Sequence, residues 1–228
     1  MNGITNNKWA QLCRRKLESA RILAGGPLSR LGEPLGQDWL VYNRWVFLRF
    51  DRIGRTPAAV LARRVSQELH PARMLDLGCG TGVYVAEFRA LGWDALGFEH
   101  NAYARKFGRD RYGLNLAPFD LSAGDIAVPP SELAISIEVA EHLPERLAHR
   151  LVDLCCASSN QVIFSAAHPG QPGQGHIFCQ PRSYWEHEFE LRNFELDRKR
   201  TADLTNNLEI AIGASHWLVK NLAWYSRK

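Results

Sequence analysis

The chain has 228 residues, 46% of them hydrophobic and 23% charged, a size and balance that fit one folded domain with a full core, alone or with an appendage. No apolar run approaches the roughly 20 residues that a membrane span needs, and the N-terminus lacks a signal-peptide pattern, so we expect a cytoplasmic protein without a membrane partner. The five cysteines are odd in number and none lies in a CxxC pair, which predicts reduced thiols instead of disulfides.

The charge is uneven along the chain. Residues 1–73 contain 13 Lys and Arg against 5 Asp and Glu, whereas the remainder contains 15 against 19. A basic N-terminal segment on a slightly acidic body predicts an anionic partner, such as a phosphate, a nucleotide sugar or a nucleic acid. The alternative is an arginine-rich helix face that is simply solvated.

The N-terminal third of the chain predicts helices. Residues 8–24 have helical periodicity, an apolar and basic segment covers 38–50, and residues 57–69 open with a proline at the first helical position. We expect residues 1–72 to form a helical cap or lid. Aromatic and arginine side chains in this segment could bind a planar or anionic acceptor, or pack as an extra helix; they are Trp39, Tyr42, Arg44, Trp45, Phe47, Arg49, Arg52 and Arg55.

From residue 73 onward, short apolar runs alternate with helical stretches. The predicted strands cover 74–77, 95–99, 114–119, 133–139 and 161–167, with a last strand at 217–225. The predicted helices cover 83–91, 101–108, 144–156 and 184–194. Strands that alternate with helices of this length indicate an α/β domain with a parallel sheet, whose ligands bind at the carboxyl ends of the strands.

A glycine-rich turn follows the first of these strands. The segment MLDLGCGTG at 74–82 predicts a strand, a tight turn that a ligand can approach closely, and the start of a helix. The next strand ends in Glu99, 17 residues beyond Gly82, where a carboxylate could accept both ribose hydroxyls of a nucleoside. Dinucleotide-binding folds use a similar turn, so the glycines alone do not identify the ligand.

The motif LDLGCGTG resembles the signature of the class I S-adenosylmethionine-dependent methyltransferases, and the resemblance covers roughly 73–228. It implies a Rossmann-like, seven-stranded, mostly parallel sheet with helices on both faces, and S-adenosyl-L-methionine as cofactor. It also implies that Asp76, Gly78 and Gly80 lie near the methionine end and that Glu99 holds the ribose. Asp120 would contact the adenine amine, with Leu121 on the ring and Asp125 as a rival. The full predicted cofactor set is Asp76, Gly78, Cys79, Gly80, Gly82, Glu99, His100, Asp120, Leu121 and Glu138.

The fourth strand runs into a polar cluster, IEVAEHLP at 137–144. If residues 138–142 form a helical turn, Glu138, Glu141 and His142 lie on one face and could hold a divalent cation. The E-x-x-E-H pattern is similar to that of the ubiquinone-biosynthesis O-methyltransferases and the small-RNA 2′-O-methyltransferases. That resemblance implies a cation that acidifies and aims an acceptor hydroxyl. The mixed set of carboxylate and imidazole ligands suits magnesium, manganese or zinc.

Two alternatives to the metal stay open: His142 as a metal-free catalytic or substrate-binding group, and a purely structural role. We predict Glu141 and His142 as the catalytic pair. A further metal ligand would come from the loop after the fifth strand, where both His168 and His176 can reach the site and His176 is preferred; a histidine in such a loop can also be a plain surface residue.

These observations predict a methyltransferase whose acceptor is a hydroxyl of a small molecule or sugar. One alternative is an RNA 2′-O-methyltransferase, which the E-x-x-E-H pattern and the basic N-terminus would both allow. The other is a cofactor-binding scaffold without catalysis.

Overall fold

The computed structural model describes residues 44–228. In this part of the chain, seven strands form one sheet in the order β3-β2-β1-β4-β5-β7-β6. The first five are parallel, whereas β7 runs antiparallel to both β5 and β6. The predicted seven-stranded, mostly parallel sheet is therefore confirmed. The strands are β1 (Arg73–Leu77), β2 (Asp94–Glu99), β3 (Ala117–Pro118), β4 (Ser131–Ile137), β5 (Ser159–Ser165), β6 (Phe194–Leu196) and β7 (Ala223–Arg227).

Seven helices accompany the sheet within the same residues, and a 3-10 turn at Ala140–His142 follows β4. Of these helices, none is long and apolar enough to cross a membrane. The helices are α1 (Arg44–Glu68), α2 (Val83–Ala90), α3 (Ala102–Tyr112), α4 (Glu145–Ser158), α5 (Arg182–Glu190), α6 (Arg198–Ile212) and α7 (Trp217–Asn221).

The core lies on both faces of the sheet, because successive strand residues point to opposite sides. On one face, Met74, Leu133 and Ile163 are buried with side chains of α1, α2, α6 and α7. On the other face, Leu75, Ala134 and Val162 are buried with side chains of α4 and α5. Helices therefore cover both faces, as predicted.

The prediction that a helix begins at Pro57 is wrong, since α1 begins at Arg44 and contains Pro57. A proline inside a helix removes one backbone hydrogen bond, and tertiary packing compensates here. Residues 58–65 of α1 enter the core, and the buried carboxylate of Asp51 accepts hydrogen bonds from Tyr112 and Arg55. The boundary that we predict at 72/73 falls between α1 and β1. The helix predicted at 8–24, with Trp39 and Tyr42, lies outside the described residues.

Three other element predictions need correction. Residues 217–225 form α7 followed by β7 instead of one strand, because the His216 side chain accepts a hydrogen bond from the Leu218 N–H and caps a short helix. The helix predicted at 184–194 ends at Glu190, and β6 and α6 follow it without having been predicted. Strand β4 ends at Ile137, so Glu138 lies just beyond the sheet.

Candidate functional site

The loop between β1 and α2 forms an open cradle at the carboxyl edge of the sheet. Gly78, Gly80 and Gly82 all have positive φ, at 85°, 53° and 78°, a conformation that glycine adopts readily. A Cβ added at Gly78 would lie 2.6 Å from the Val139 side chain, whereas one added at Gly80 would meet nothing within 4 Å. The backbone at Gly80 therefore faces open space into which a ligand can fit.

Glu99, the last residue of β2, contacts this cradle directly. Its Oε2 accepts a hydrogen bond from the Gly80 N–H at 2.8 Å, and its Oε1 accepts one from the Asn101 N–H at 2.6 Å. Burial raises the pKa of Glu99, while these two N–H donors lower it. Because each carboxylate oxygen has two lone pairs, Glu99 can still accept hydrogen bonds from a ligand.

Asp76 lies in β1 beneath the same loop and is 1% exposed. Its Oδ2 has no hydrogen-bond partner among the described residues. Burial raises the pKa of Asp76 well above its ordinary value, and the neighbouring Glu99 raises it further. A buried carboxylate oxygen without a donor is costly, so this site suits a ligand that brings a hydrogen-bonding cation.

The turn after β3 brings the predicted adenine contacts to the same edge. Pro118 pairs with Glu99 in the β2–β3 ladder, and Asp120 follows two residues later with its side chain exposed. Hydrogen bonds from the Ser122 hydroxyl and N–H to Oδ1 lower the pKa of Asp120. The other predicted cofactor residues stay predictions. Cys79 and Leu121 are buried, whereas His100 is exposed, as is Asp125, the alternative to Asp120 as the adenine contact.

A second group of side chains converges beside the cradle. Glu141, His142 and His176 each offer one ligand atom, and these atoms all lie within 4.8 Å of one another. The 3-10 turn after β4 contributes the first two, and the loop after β5 contributes His176. The imidazole centroids are 5.0 Å apart, and His142 Nε2 lies 4.0 Å from Glu141 Oε1. His168, the other candidate from this loop, is exposed with its Nδ1 3.0 Å from its neighbour's carbonyl.

Glu141 is fully buried, and neither of its carboxylate oxygens has a hydrogen bond of ordinary geometry among the described residues. The backbone N–H groups of Glu141 and Ala167 are close enough to lower its pKa, but they do not outweigh burial. Its backbone carbonyl accepts hydrogen bonds from the N–H groups of Ile177 and Phe178 at 2.9 and 3.0 Å, which attaches the loop after β5 to the turn. Burial raises the pKa of Glu141 well above its ordinary value, and the nearby Glu138 carboxylate raises it further. Such a carboxylate is stable only with a proton or a neighbouring cation.

Both histidines have their Nδ1 atoms near backbone carbonyls. His142 Nδ1 lies 3.1 Å from the Gly175 carbonyl oxygen, and His176 Nδ1 lies 3.3 Å from that of Gln171. Because a carbonyl can only accept, the contact of His142 favours the tautomer with the proton on Nδ1. His176 Nδ1 has a second neighbour, the Cys179 Sγ at 3.6 Å. Burial lowers the pKa of His142 to about 4, so this imidazole is neutral at physiological pH. Metal-binding histidines usually have this arrangement.

Glu138 was predicted to join this group, but its ligand atoms do not converge with the other three, because the helical turn covers Ala140–His142 and leaves Glu138 outside it. The Glu138 carboxylate is instead held by two amides. Asn221 Nδ2 lies 3.1 and 3.3 Å from its two carboxylate oxygens, and Gln171 Nε2 donates at 3.4 Å. Asn221 also donates to Gln171 Oε1 at 3.0 Å. The backbone of Glu138 has a φ of 54°, a strained value that is most frequent at functional sites. Sequence reasoning assigned no role to Asn221 or Gln171, and their residue types carry no signal of one.

Comparison with protein-family models finds no match, and comparison with curated proteins finds none either. Solved structures do match. Magnesium protoporphyrin IX methyltransferase (ChlM) from Synechocystis PCC 6803 with bound SAH is 15% identical, with a TM-score of 0.58, and the match covers 79% of this chain and 87% of that one. The fold is that of a class I methyltransferase. The methyltransferase CalS10 from Micromonospora echinaspora with bound SAM is 16% identical, with a TM-score of 0.57 and coverage of 76% and 91%.

A third structure of this methyltransferase fold comes from Corynebacterium glutamicum. This TehB-like SAM-dependent methyltransferase is 17% identical, with a TM-score of 0.56, and the match covers 82% of this chain and 100% of that one. At such low identities the likeness shows the fold alone. The fold prediction is therefore confirmed, whereas the activity depends on the residues of the site.

Proposed function

We propose that the protein is an S-adenosylmethionine-dependent methyltransferase. The observation that carries this proposal is the hydrogen bond from the Gly80 N–H to the Glu99 carboxylate. It lies at the carboxyl ends of two adjacent parallel strands, and the Gly80 backbone faces open space there. The unpartnered oxygen of Asp76, close beneath the loop, adds an acceptor for a positively charged group.

In this proposal, the chain's own residues bind and orient the cofactor. Asp76 accepts a hydrogen bond from the ammonium group of its methionine end, and Glu99 accepts from the ribose hydroxyls. Asp120 accepts from the adenine amine, while the apolar Leu121 packs on the ring. S-adenosylmethionine supplies an electrophilic methyl group, and holding it in line with the acceptor provides much of the rate.

We infer that the acceptor is a hydroxyl of a small molecule or sugar. The structural neighbours support a small acceptor: CalS10 is described as an amino pentose methyltransferase, and KedS8 from Streptoalloteichus as a sugar N-methyltransferase. KedS8 is 14% identical, with a TM-score of 0.56. Oxygen is favoured as the acceptor atom because Glu141 and His142, which follow β4, could hold a cation that lowers the pKa of a hydroxyl.

We further propose that Glu141, His142 and His176 hold a divalent cation. The residues fit this group, because one carboxylate oxygen and one nitrogen of each imidazole lie within 4.8 Å of one another and the Glu141 carboxylate is buried. A mixed set of oxygen and nitrogen atoms suits magnesium, manganese or zinc. Such an ion would lower the pKa of an acceptor hydroxyl and fix the position of its oxygen.

The protein side of this chemistry consists of charge and orientation. Glu141 would supply negative charge, and the Gly175 and Gln171 carbonyls lie within hydrogen-bond distance of the two histidines and orient their rings. Asn221 keeps the Glu138 carboxylate in place beside them. A metal-free mechanism, with His142 as general base, is less favourable because a pKa of about 4 makes this imidazole a weak proton acceptor at neutral pH.

RNA is a second acceptor class, supported by the exposed arginines Arg44, Arg49 and Arg52 at the start of α1. RNA binding through such residues should weaken steeply as salt concentration rises. A gel-shift titration against salt separates this proposal from a neutral small-molecule acceptor.

The proposed function is tested with the full chain, S-adenosylmethionine labelled on the methyl group, and a panel of hydroxyl-bearing small molecules and sugars. Binding of the cofactor in calorimetry, together with label transfer that stops in a chelator and returns with added metal, is the expected result. Cofactor binding without transfer to any acceptor, RNA included, would favour a non-catalytic scaffold. Binding of a nicotinamide dinucleotide and none of S-adenosylmethionine would refute the proposal.

A further inference from the structure

One arginine of α4 holds the turn that follows β3. The Arg150 guanidinium donates hydrogen bonds to the carbonyl of Leu121 at 2.8 Å and to that of Ala123 at 2.5 Å. It also donates to the carbonyl of Gly124. A single side chain thus binds three backbone carbonyls within four consecutive residues, 26 to 29 positions away in the sequence.

The backbone of this turn has few other hydrogen-bond restraints. Strand β3 has two residues, and its register with β2 consists of the pairs Phe98–Ala117 and Glu99–Pro118. Within the turn, the Ala123 N–H donates to the Asp120 carbonyl at 3.1 Å, and Ser122 binds the Asp120 side chain. These local bonds shape the turn, and apolar packing holds its side chains: Phe119 and Leu121 are buried in the same core as α4, and the Phe119 ring lies 5.9 Å from that of Phe98. The guanidinium adds a polar link from α4 to the backbone of the turn.

We propose that Arg150 is a positioning residue for the adenine end of the cofactor, an inference that rests on the proposed function. Its planar fork donates several hydrogen bonds in fixed directions, so it sets where Asp120 and Leu121 lie relative to Glu99. The helix that carries Arg150 starts three residues after His142. Helix α4 therefore connects the turn after β3, which would contact the adenine, with Glu141 and His142, which would face the acceptor.

The test compares Arg150→Met, Arg150→Lys and the control Arg146→Met in calorimetry. Arg146 is an exposed residue on the same helix. The probes are S-adenosylhomocysteine and 5′-methylthioadenosine, which keeps the adenine and ribose but lacks the amino-acid end. Arg150→Met should raise Kd about tenfold or more, by the same factor for both probes, while Arg146→Met leaves both unchanged. Arg150→Lys should lose part of the affinity, because an ammonium cannot reproduce the fork.

Amide hydrogen exchange in the ligand-free protein gives a second measurement. Residues 119–126 should exchange faster in both Arg150 variants than in the wild type and Arg146→Met, with the rest of the sheet unchanged.

Four outcomes overturn the inference: unchanged Kd in both Arg150 variants, a loss for S-adenosylhomocysteine without one for methylthioadenosine, an equal loss in Arg146→Met, or unchanged exchange at 119–126. If Arg150→Met does not fold, Arg150→Lys decides the question by the same criteria. A wild-type chain that binds neither probe refutes the proposed function and the inference with it, whereas normal wild-type binding with unchanged variants refutes the inference alone.

Discussion

Asp76→Asn should have opposite effects on stability and on cofactor binding. The wild-type carboxylate is buried with one oxygen unpartnered, and burial together with Glu99 raises its pKa. Asparagine has nearly the same shape but no charge, so the ligand-free protein should become more stable at neutral pH. The same change removes the acceptor that we propose for the cofactor's ammonium group, so affinity should fall.

The stability gain comes from removing the buried charge. An unsatisfied buried group costs about 1–3 kcal/mol, and more when it is charged; asparagine keeps the neutral part of this cost and loses the excess. A gain of about 1 kcal/mol would shift Tm by roughly 2–4 °C in a chain of this size. A lost hydrogen bond between charged groups costs about 1.5–3 kcal/mol, which corresponds to roughly ten- to hundredfold in Kd for S-adenosylmethionine.

The stability difference should depend on pH in a defined direction. Below the ordinary Asp pKa of 3.8, the carboxyl is protonated in both folded and unfolded chains and its charge costs nothing. As pH rises from there towards the raised pKa of the folded state, only the unfolded chain ionises, so the wild type loses stability relative to Asp76→Asn. Above the folded pKa the difference stays constant.

Scanning calorimetry from pH 4 to 8 without ligand, and titration calorimetry at pH 7, measure the two effects. Asp125→Asn, the same change at an exposed site, should leave Tm unchanged at every pH. A lower Tm for Asp76→Asn at neutral pH, or a difference that does not grow with pH, would refute the reasoning from the unpartnered oxygen. Unchanged affinity would remove Asp76 from the cofactor site.

Four further substitutions test the remaining groups. Glu99→Ala should weaken S-adenosylmethionine binding about tenfold or more in calorimetry, because it removes the acceptor that we propose for the ribose hydroxyls. Glu141→Gln should abolish divalent-metal binding and the rescue of activity by metal, because the amide is a weak, neutral ligand. Asn221→Leu should weaken metal binding or methyl transfer by about 10–100-fold, since the Glu138 carboxylate loses a donor. Asp51→Asn should lower the free energy of unfolding by about 1.5–3 kcal/mol in thermal unfolding, because Tyr112 and the arginines lose a charged partner.

The controls and the contradicting results differ among these four. Normal cofactor affinity in Glu99→Ala would mean that the ribose lies elsewhere. Full wild-type activity in excess chelator, with His142→Ala inactive, would replace the metal by a general base. Asn221→Leu with unchanged metal affinity and rate would make its amide structural. For Asp51, the exposed pair of Asp110 and Lys106 is the control, since Asp110→Asn should cost less than about 0.5 kcal/mol; equal costs would contradict the importance of burial.

The sequence by itself determined the features that depend on neighbouring residues. The alternation of apolar runs and helical stretches predicted the parallel sheet. The spacing of apolar residues that is typical of a strand or of a helix is visible within a short stretch of sequence. The run from Asp76 to Gly82 predicted the cradle, since positive φ at three glycines is a property of the turn itself. The position of Glu99 at the end of the next strand followed from the same pattern, and parallel strands bring their carboxyl ends to one edge.

Only the tertiary structure decided the features that join distant segments. Pro57 lies inside α1 because the packing on both sides of it outweighs one lost hydrogen bond. His176 meets Glu141 through a loop held by backbone hydrogen bonds, and the carbonyl that contacts His142 Nδ1 belongs to that loop. The links from Asn221 to Glu138 and from Arg150 to the turn after β3 span 83 and up to 29 positions. Such contacts depend on which distant segments the fold brings together, and no local pattern of residue types shows which segments these are.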